Sequence, residues 1–139
     1  MNTTSTPQLP VDLTPVLERI SAPGVPRIDR GEGWHALLLE LDHELSQIEP
    51  SYVILQVKEK FGALRFYFAL PEIHLVSASS AAQQSEITRR AEQHRTMNTL
   101  VIEAEERSMR TCECCGAPAR TAPRVDGWLK TSCRDCQSQ

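Results

Sequence analysis

The segment from Arg110 to Arg120 reads RTCECCGAPAR, and six residues later the chain continues GWLKTSCRDCQ. Cys112 and Cys115 form one C-x2-C pair, Cys133 and Cys136 form a second, and 17 residues separate the two pairs. Each two-residue gap lets a tight knuckle aim both sulfurs at one ion, and the intervening chain is long enough for a hairpin that brings the knuckles together. The spacing therefore predicts a four-thiolate Zn2+ site with Cys112, Cys115, Cys133 and Cys136 as ligands. Gly116 suits the sharp backbone turn directly after the first knuckle, whose N–H groups can then point at the sulfurs. Cys114 has only one residue between itself and Cys112, and reads as a bystander thiol. An iron site of rubredoxin type would use the same ligands, but nothing else in the chain suggests electron transfer, and thiolate tetrahedra suit zinc.

Four protein thiolates leave no open coordination position, so the ion is expected to hold the fold and not to perform chemistry. Two enzyme classes with related motifs fail on their own requirements. Zinc deaminases need H-x-E together with P-C-x-x-C, yet none of His35, His43, His74 or His94 has Glu two residues on, and no proline precedes Cys112. Nucleases on a similar scaffold need histidines within it, and none lies beyond His94. Gln56, Lys58 and Glu59 could echo a restriction-nuclease strand, but the preceding strand with its metal-binding aspartate is missing, and a solvated hairpin is the better reading. His43-Glu44 lacks the second histidine of H-E-x-x-H, and neither a phosphate loop nor a nucleophile elbow occurs. The chain is expected to be no enzyme.

The elements that must position the cysteines can be read from periodicity. The 139 residues, 40% apolar, suffice for one modest domain with a small satellite. The expected division is an arm over residues 1–30, an α+β core over 31–110 and the zinc module over 111–139. In the proline-, Ser- and Thr-rich arm, Thr14-Pro15 marks a short helix start, with Leu13, Val16, Leu17 and Ile20 on one face that can dock on the core or on a partner. Trp34, Leu37, Leu38, Leu41, Leu45 and Ile48 recur at helical spacing up to Pro50, predicting an amphipathic helix whose other face carries Glu40, Asp42, His43, Glu44 and Gln47 to water.

The period then switches to two. Val53, Leu55 and Val57, facing Phe68, Phe66 and Leu64 respectively, predict a β-hairpin whose six apolar side chains share one face, with Gly62 supplying a positive φ in its EKFG turn. Ser80 with Gln83 resembles a capping box, and helical character runs from there to Arg110, with Met97, Leu100, Val101, Ala104 and Ser108 as its buried stripe. Glu103 with Arg107, and Glu106 with Arg110, stand at a supportive spacing. The fold class is α+β: a helix on a hairpin, a second long helix and a small zinc module of treble-clef or ribbon type.

The net charge of −3 argues against a chain that coats nucleic acid indiscriminately, although the part from Arg107 onward carries +3. Arg120, Arg124 and Lys130, with Trp128 between them, could contact phosphates. The plainer reading packs Trp128 into the miniature core and leaves the cations as surface. Phe61 and Tyr67, at the turn and on the outer face of the hairpin, are candidate anchors for a protein partner. No small-molecule substrate is suggested. With no membrane span, no signal peptide and no plausible disulfide framework among five cysteines, the expected location is the cytoplasm.

The elements GW at 33–34, QVKEKFGALRFY at 56–67, EAEERSMRTCECCGAPAR at 103–120 and GWLKTSC at 127–133 resemble a family of small bacterial and bacteriophage proteins. The likeness spans residues 31–136. In that family the second knuckle is usually C-x2-H and the first has no cysteine at its middle position. The resemblance thus implies Cys136 as the replacement for that histidine and Cys114 as an addition, and it implies no activity. The leading expectation is a non-enzymatic, zinc-stabilised protein that binds another protein as an adaptor or inhibitor; the alternative is a small nucleic-acid-binding regulator using the basic zinc module.

Overall fold

The structure, a computed structural model, describes residues 12–21, 31–72 and 79–137. Much of the proline-rich arm, residues 1–11 and 22–30, lies outside them, and the described piece docks on the core. Its helix α1 (Thr14–Leu17) has Pro15 in its first turn, buries Leu13 and Val16, and partly buries Leu17 and Ile20. The Thr14 hydroxyl, expected to cap this helix, does not: it and the Thr14 backbone N–H donate to Asp12 (2.5 and 3.0 Å), and Leu13 stands at the cap position with no side-chain cap.

A 3₁₀ turn (Glu32–Trp34) leads into helix α2 (His35–Ile48). Trp34, Leu37, Leu38, Leu41 and Leu45 are buried, as the stripe requires, and Ile48 is partly buried. Asp42 corrects the expectation that it faces water. It is 6% exposed, accepts the hydroxyl of Tyr52 and pairs with Arg19 Nε at 2.6 Å. The Arg19 guanidinium also stacks 4.5 Å above the Tyr52 ring and donates to the Pro50 carbonyl at 2.6 Å. Burial first, and then the Asp42 carboxylate, push the Tyr52 hydroxyl well above its ordinary pKa, keeping it a neutral donor. The arm is thus latched to α2 and to the start of the hairpin by a polar cluster.

Strands β1 (Val53–Lys60) and β2 (Ala63–Ala69) form the antiparallel hairpin, but in a different register from the one expected. Lys60 faces Ala63, Glu59 faces Leu64 and Val57 faces Phe66; the register then shifts between Ile54 and Gln56. Leu55 is the extra residue of this β-bulge. It is 48% exposed, whereas its neighbour Ile54 is fully buried. The bulge reverses the alternation of inward and outward residues, so Ile54 and Val57 both face the core despite an odd separation. The turn is the two residues Phe61 and Gly62, at φ 56° and 80°, the twist-matched geometry for so short a loop. Ile20 forms a parallel bridge to Ile54 at the β1 edge, with Ile54 N donating to Arg19 O at 2.8 Å.

Helix α3 (Ser80–Ser108) begins one residue after its cap: Ser79, not Ser80, accepts the Ala82 N–H at 3.1 Å. Met97, Val101, Ala104 and Ser108 are buried and Leu100 partly so. Arg107 reaches across to Glu40 of α2 at 3.1 Å, and Gln93 donates to the last α2 carbonyl, that of Ile48, at 2.9 Å. Along β2, α3 covers the outer edge with side chains: Ser108 Oγ accepts Leu64 N–H at 2.9 Å and Glu105 Oε2 accepts Phe66 N–H at 3.0 Å. The core lies between α1, α2, α3 and the inner hairpin face. No helix among the described residues is long and apolar enough to cross a membrane.

The revised register has a direct check. Phe66→Ala, at a site 3% exposed, is expected to cost about 3–5 kcal/mol in chemical denaturation, and Leu55→Ala about 1 kcal/mol or less. The originally expected pairing requires comparable losses at both positions.

Candidate metal centre

After α3 the chain enters the first knuckle, crosses a second hairpin of β3 (Arg120–Pro123) and β4 (Leu129–Ser132), and ends in the short helix α4 (Arg134–Gln137). Cys133 stands between β4 and α4, and Cys136 lies within α4. Knuckle, hairpin and a helix carrying the last ligand make a treble-clef-like arrangement. The sulfurs of Cys112, Cys115, Cys133 and Cys136 all lie within 4.8 Å of one another, and Cys115 and Cys133 are 3.6 Å apart. A tetrahedral ion with metal–sulfur bonds of about 2.3 Å spaces its ligands about 3.8 Å apart, so the four groups fit a single ion. Cys114 is exposed and outside the cluster, as its spacing predicts.

Local backbone geometry explains the convergence. Gly116 has φ 85°, and its N–H donates to the Cys112 carbonyl at 2.9 Å, closing the knuckle. Cys112 N–H donates to Ala117 O at 2.7 Å, and Gln137 N–H to Cys133 O at 3.0 Å. Burial tends to raise the pKa of the Cys112 thiol, but the N–H groups of Cys133, Cys115 and Cys114 aim at its sulfur and hold it down to about 6. Cys136 moves the other way: hydrogen bonds within the crowd of sulfurs, first that with Cys133, push its pKa well up. Four thiolates this close cannot all ionise without a cation, and a divalent ion removes that conflict.

The two glycine-containing sequence elements seat the centre on the core. A side chain at Gly33 would stand 2.0 Å from the Cys112 carbonyl oxygen and 2.5 Å from Gly116 N. Gly33 N–H itself donates to Glu113 O at 2.8 Å, and the buried Trp34 indole donates to Thr111 O at 2.9 Å. At the other contact, a Cβ on Gly62 would meet Thr121 Cγ2 at 2.9 Å and the Lys130 N at 3.2 Å. Thr131 Oγ1 donates to Gly62 O at 2.6 Å and so accepts from Thr121 Oγ1 at 2.5 Å.

The remaining expected site residues separate into two groups. Phe61 and Tyr67 are 58% and 44% exposed, with Lys60 and Lys58 respectively above their rings. The cations of the module are largely engaged: Lys130 pairs with Glu113 at 3.2 Å, and Arg124 lies 3.9 Å from Asp126, while Arg120 is exposed on β3. Trp128 contradicts the packing expectation. It is 68% exposed, because the β3–β4 turn carries it past the end of the module, beside fully exposed Val125. Glu113, 7% exposed, was not singled out from sequence; it sits between two cysteines, where the metal pattern draws the eye away from it. Set against protein-family models, curated proteins and solved structures, the chain matches none.

Three outcomes follow from this geometry. The purified protein should carry one metal ion per chain; Cys133→Ser should abolish retention and Cys114→Ser should not, as read by elemental analysis. Retention should fall with falling pH, because protons compete with the ion for each thiolate. Gly33→Ala should lower both metal affinity and thermal stability, although its side chain is only a methyl group, because the Gly33–Trp34 segment cannot retreat from Cys112 O without breaking its bonds to Glu113 O and Thr111 O.

Proposed function

We propose that this chain is a non-enzymatic, zinc-stabilised binding protein of the cytoplasm, that it acts on another protein as an adaptor or inhibitor, and that its likeness to the small bacterial and bacteriophage proteins reflects kinship. Zinc is the ion best matched to four thiolates in a closed tetrahedral set, where it supplies a cross-link and leaves no position for a substrate. The observation that carries the binding reading is Phe61. A bulky residue in the left-handed region is unfavourable by about 1–2 kcal/mol, and Asn-Gly is the unstrained pair for this turn. Packing does not account for the aromatic ring, since it is 58% exposed. Backbone strain held at a solvent-facing aromatic supports selection for contact with something outside the chain.

The neighbouring surface supports the same reading. The Gly62 turn lies against the backbone of Leu129 and Lys130, so Phe61 adjoins the second hairpin, on which Leu129 and Trp128 are also exposed. The nucleic-acid alternative draws its support from Lys58 and Lys60 over Tyr67 and Phe61, a cation–aromatic pattern that can stack bases. It draws less from the module, where Lys130 and Arg124 already face carboxylates and a divalent ion on four thiolates leaves two net negative charges.

Phe61→Asn separates stability from function. It should raise stability by about 1 kcal/mol through relief of the left-handed strain while abolishing capture of the partner protein in pull-downs by the metal-loaded chain. The double change Arg120→Ala and Arg124→Ala should leave that capture intact. Salt-sensitive retention on DNA or RNA that disappears with Lys58→Ala and Lys60→Ala, or with the double change, would favour the alternative, and unchanged capture by Phe61→Asn would remove the proposed surface.

A further inference from the structure

Glu113 and Trp128 share a pocket of about 330 Å³ between the two hairpin tips. Glu113 forms its buried wall. One carboxylate oxygen, Oε1, pairs with Lys130 at 3.2 Å, while Oε2 is buried and has no hydrogen-bond partner among the described residues. A carboxylate oxygen held away from water without a donor is costly, typically by about 1–3 kcal/mol or more. Glu59 and Asp126 also line the pocket. Each already uses one oxygen to fix a backbone: Glu59 Oε1 accepts Gly62 N–H at 2.7 Å, and Asp126 Oδ1 accepts Trp128 N–H at 3.0 Å.

The backbone that carries the indole is held in a closed turn. Gly127 N–H donates to Arg124 O at 2.9 Å, and Arg124 N–H donates to Trp128 O at 2.7 Å. Gly127, at φ 88°, allows this tight return. The hydrogen-bonded turn presents an indole 68% exposed, and an aromatic face beside carboxylates attracts a planar cation.

From these features we infer that the pocket is a docking site for an arginine side chain of a partner protein, a refinement that rests on the protein-binding reading above. The guanidinium stacks on Trp128 and donates to Glu59 and Asp126, and the Glu113 carboxylate turns Oε2 out of its buried position to accept as well; the aliphatic stem lies along Leu129. Three carboxylates line the pocket against two cations, Lys130 and Arg124, so the pocket has one negative charge to spare for it. Arginine fits better than lysine, because a planar fork can stack and donate sideways at once, whereas an ammonium group repeats what Lys130 already supplies to Glu113.

The test uses the full metal-loaded chain and N-acetyl-arginine-methylamide as probe, followed through the two indole N–H signals in NMR. Trp34, whose indole is bonded to Thr111 O, serves as the internal reference. The probe should shift the Trp128 signal saturably and leave Trp34 in place. The uncharged citrulline analogue should produce no saturable shift, and the lysine analogue should bind more weakly. Glu113→Gln should weaken the arginine probe about tenfold, the loss expected for one charge-assisted hydrogen bond, and Trp128→Ala should abolish its binding, both with metal content unchanged. Absence of a Trp128 shift, equal binding of citrulline, or an unaffected Glu113→Gln variant overturns the inference. If the arginine probe fails while partner capture still depends on Phe61, the pocket is wrong and the binding reading stands. If the probe binds as described but Phe61→Asn captures the partner normally, the pocket stands and the Phe61 surface falls.

Discussion

The backbone of Gly33 lies so close to the first cysteine knuckle that any side chain there would penetrate the Cys112 carbonyl oxygen. Much of the architecture follows from that approach. Gly33 directly precedes Trp34, whose ring is the largest buried side chain of the core and whose indole N–H is bonded to Thr111 just before the knuckle. A single short segment therefore faces the apolar core on one side and the metal module on the other. The Gly62 turn makes a second such junction with the middle of the β3–β4 hairpin. With two junctions, the module is part of the domain's packing, and ion binding is coupled to the helices through hydrogen-bonded backbone.

This coupling explains why sequence elements that look catalytic need not be. QVKEKFG sets Gln56, Lys58 and Glu59 in a pattern that invites a nuclease reading, yet Glu59 accepts the Gly62 N–H and Gly62 meets the module. The residue types serve a tight turn and a close approach. Phe61 is the exception within the same element, since neither requirement calls for an aromatic ring.

Elements governed by local chemistry were legible in the sequence: the Trp34 stripe, the long helix ending above the cysteines, the two C-x2-C pairs and the positive φ at Gly62. Features that depend on distant partners were not. Asp42 reads as a solvent-facing acid because Arg19 and Tyr52, which neutralise and bond it, lie on other elements. The bulge at Leu55 escaped because VILQV is apolar at consecutive positions and supports either alternation; the Ile20 bridge to Ile54 helps fix the choice. Trp128 was assigned to the small core on composition. The core beside it is instead filled by polar closure, Thr131 bonding to both Gly62 and Thr121, and a rigid turn leaves the indole outside. The Asp126-Gly127 turn between Val125 and Trp128 was the available signal, since a tight turn there places both flanking residues at a hairpin tip, beyond the reach of the module's packing.

The cover that α3 provides along β2 also bears on how the chain reaches its folded state. Ser108 and Glu105, 44 and 39 residues from the amides whose hydrogen bonds they accept, take up the Leu64 and Phe66 N–H groups on the strand's outer edge. Until that helix docks, β2 presents an unpaired edge flanked by Leu64, Phe66 and Phe68, the kind of edge that recruits another chain. The docked helix therefore protects the fold at the outer strand edge of β2: loss of α3 packing would expose Leu64 and Phe66 together with backbone donors that another chain could pair with.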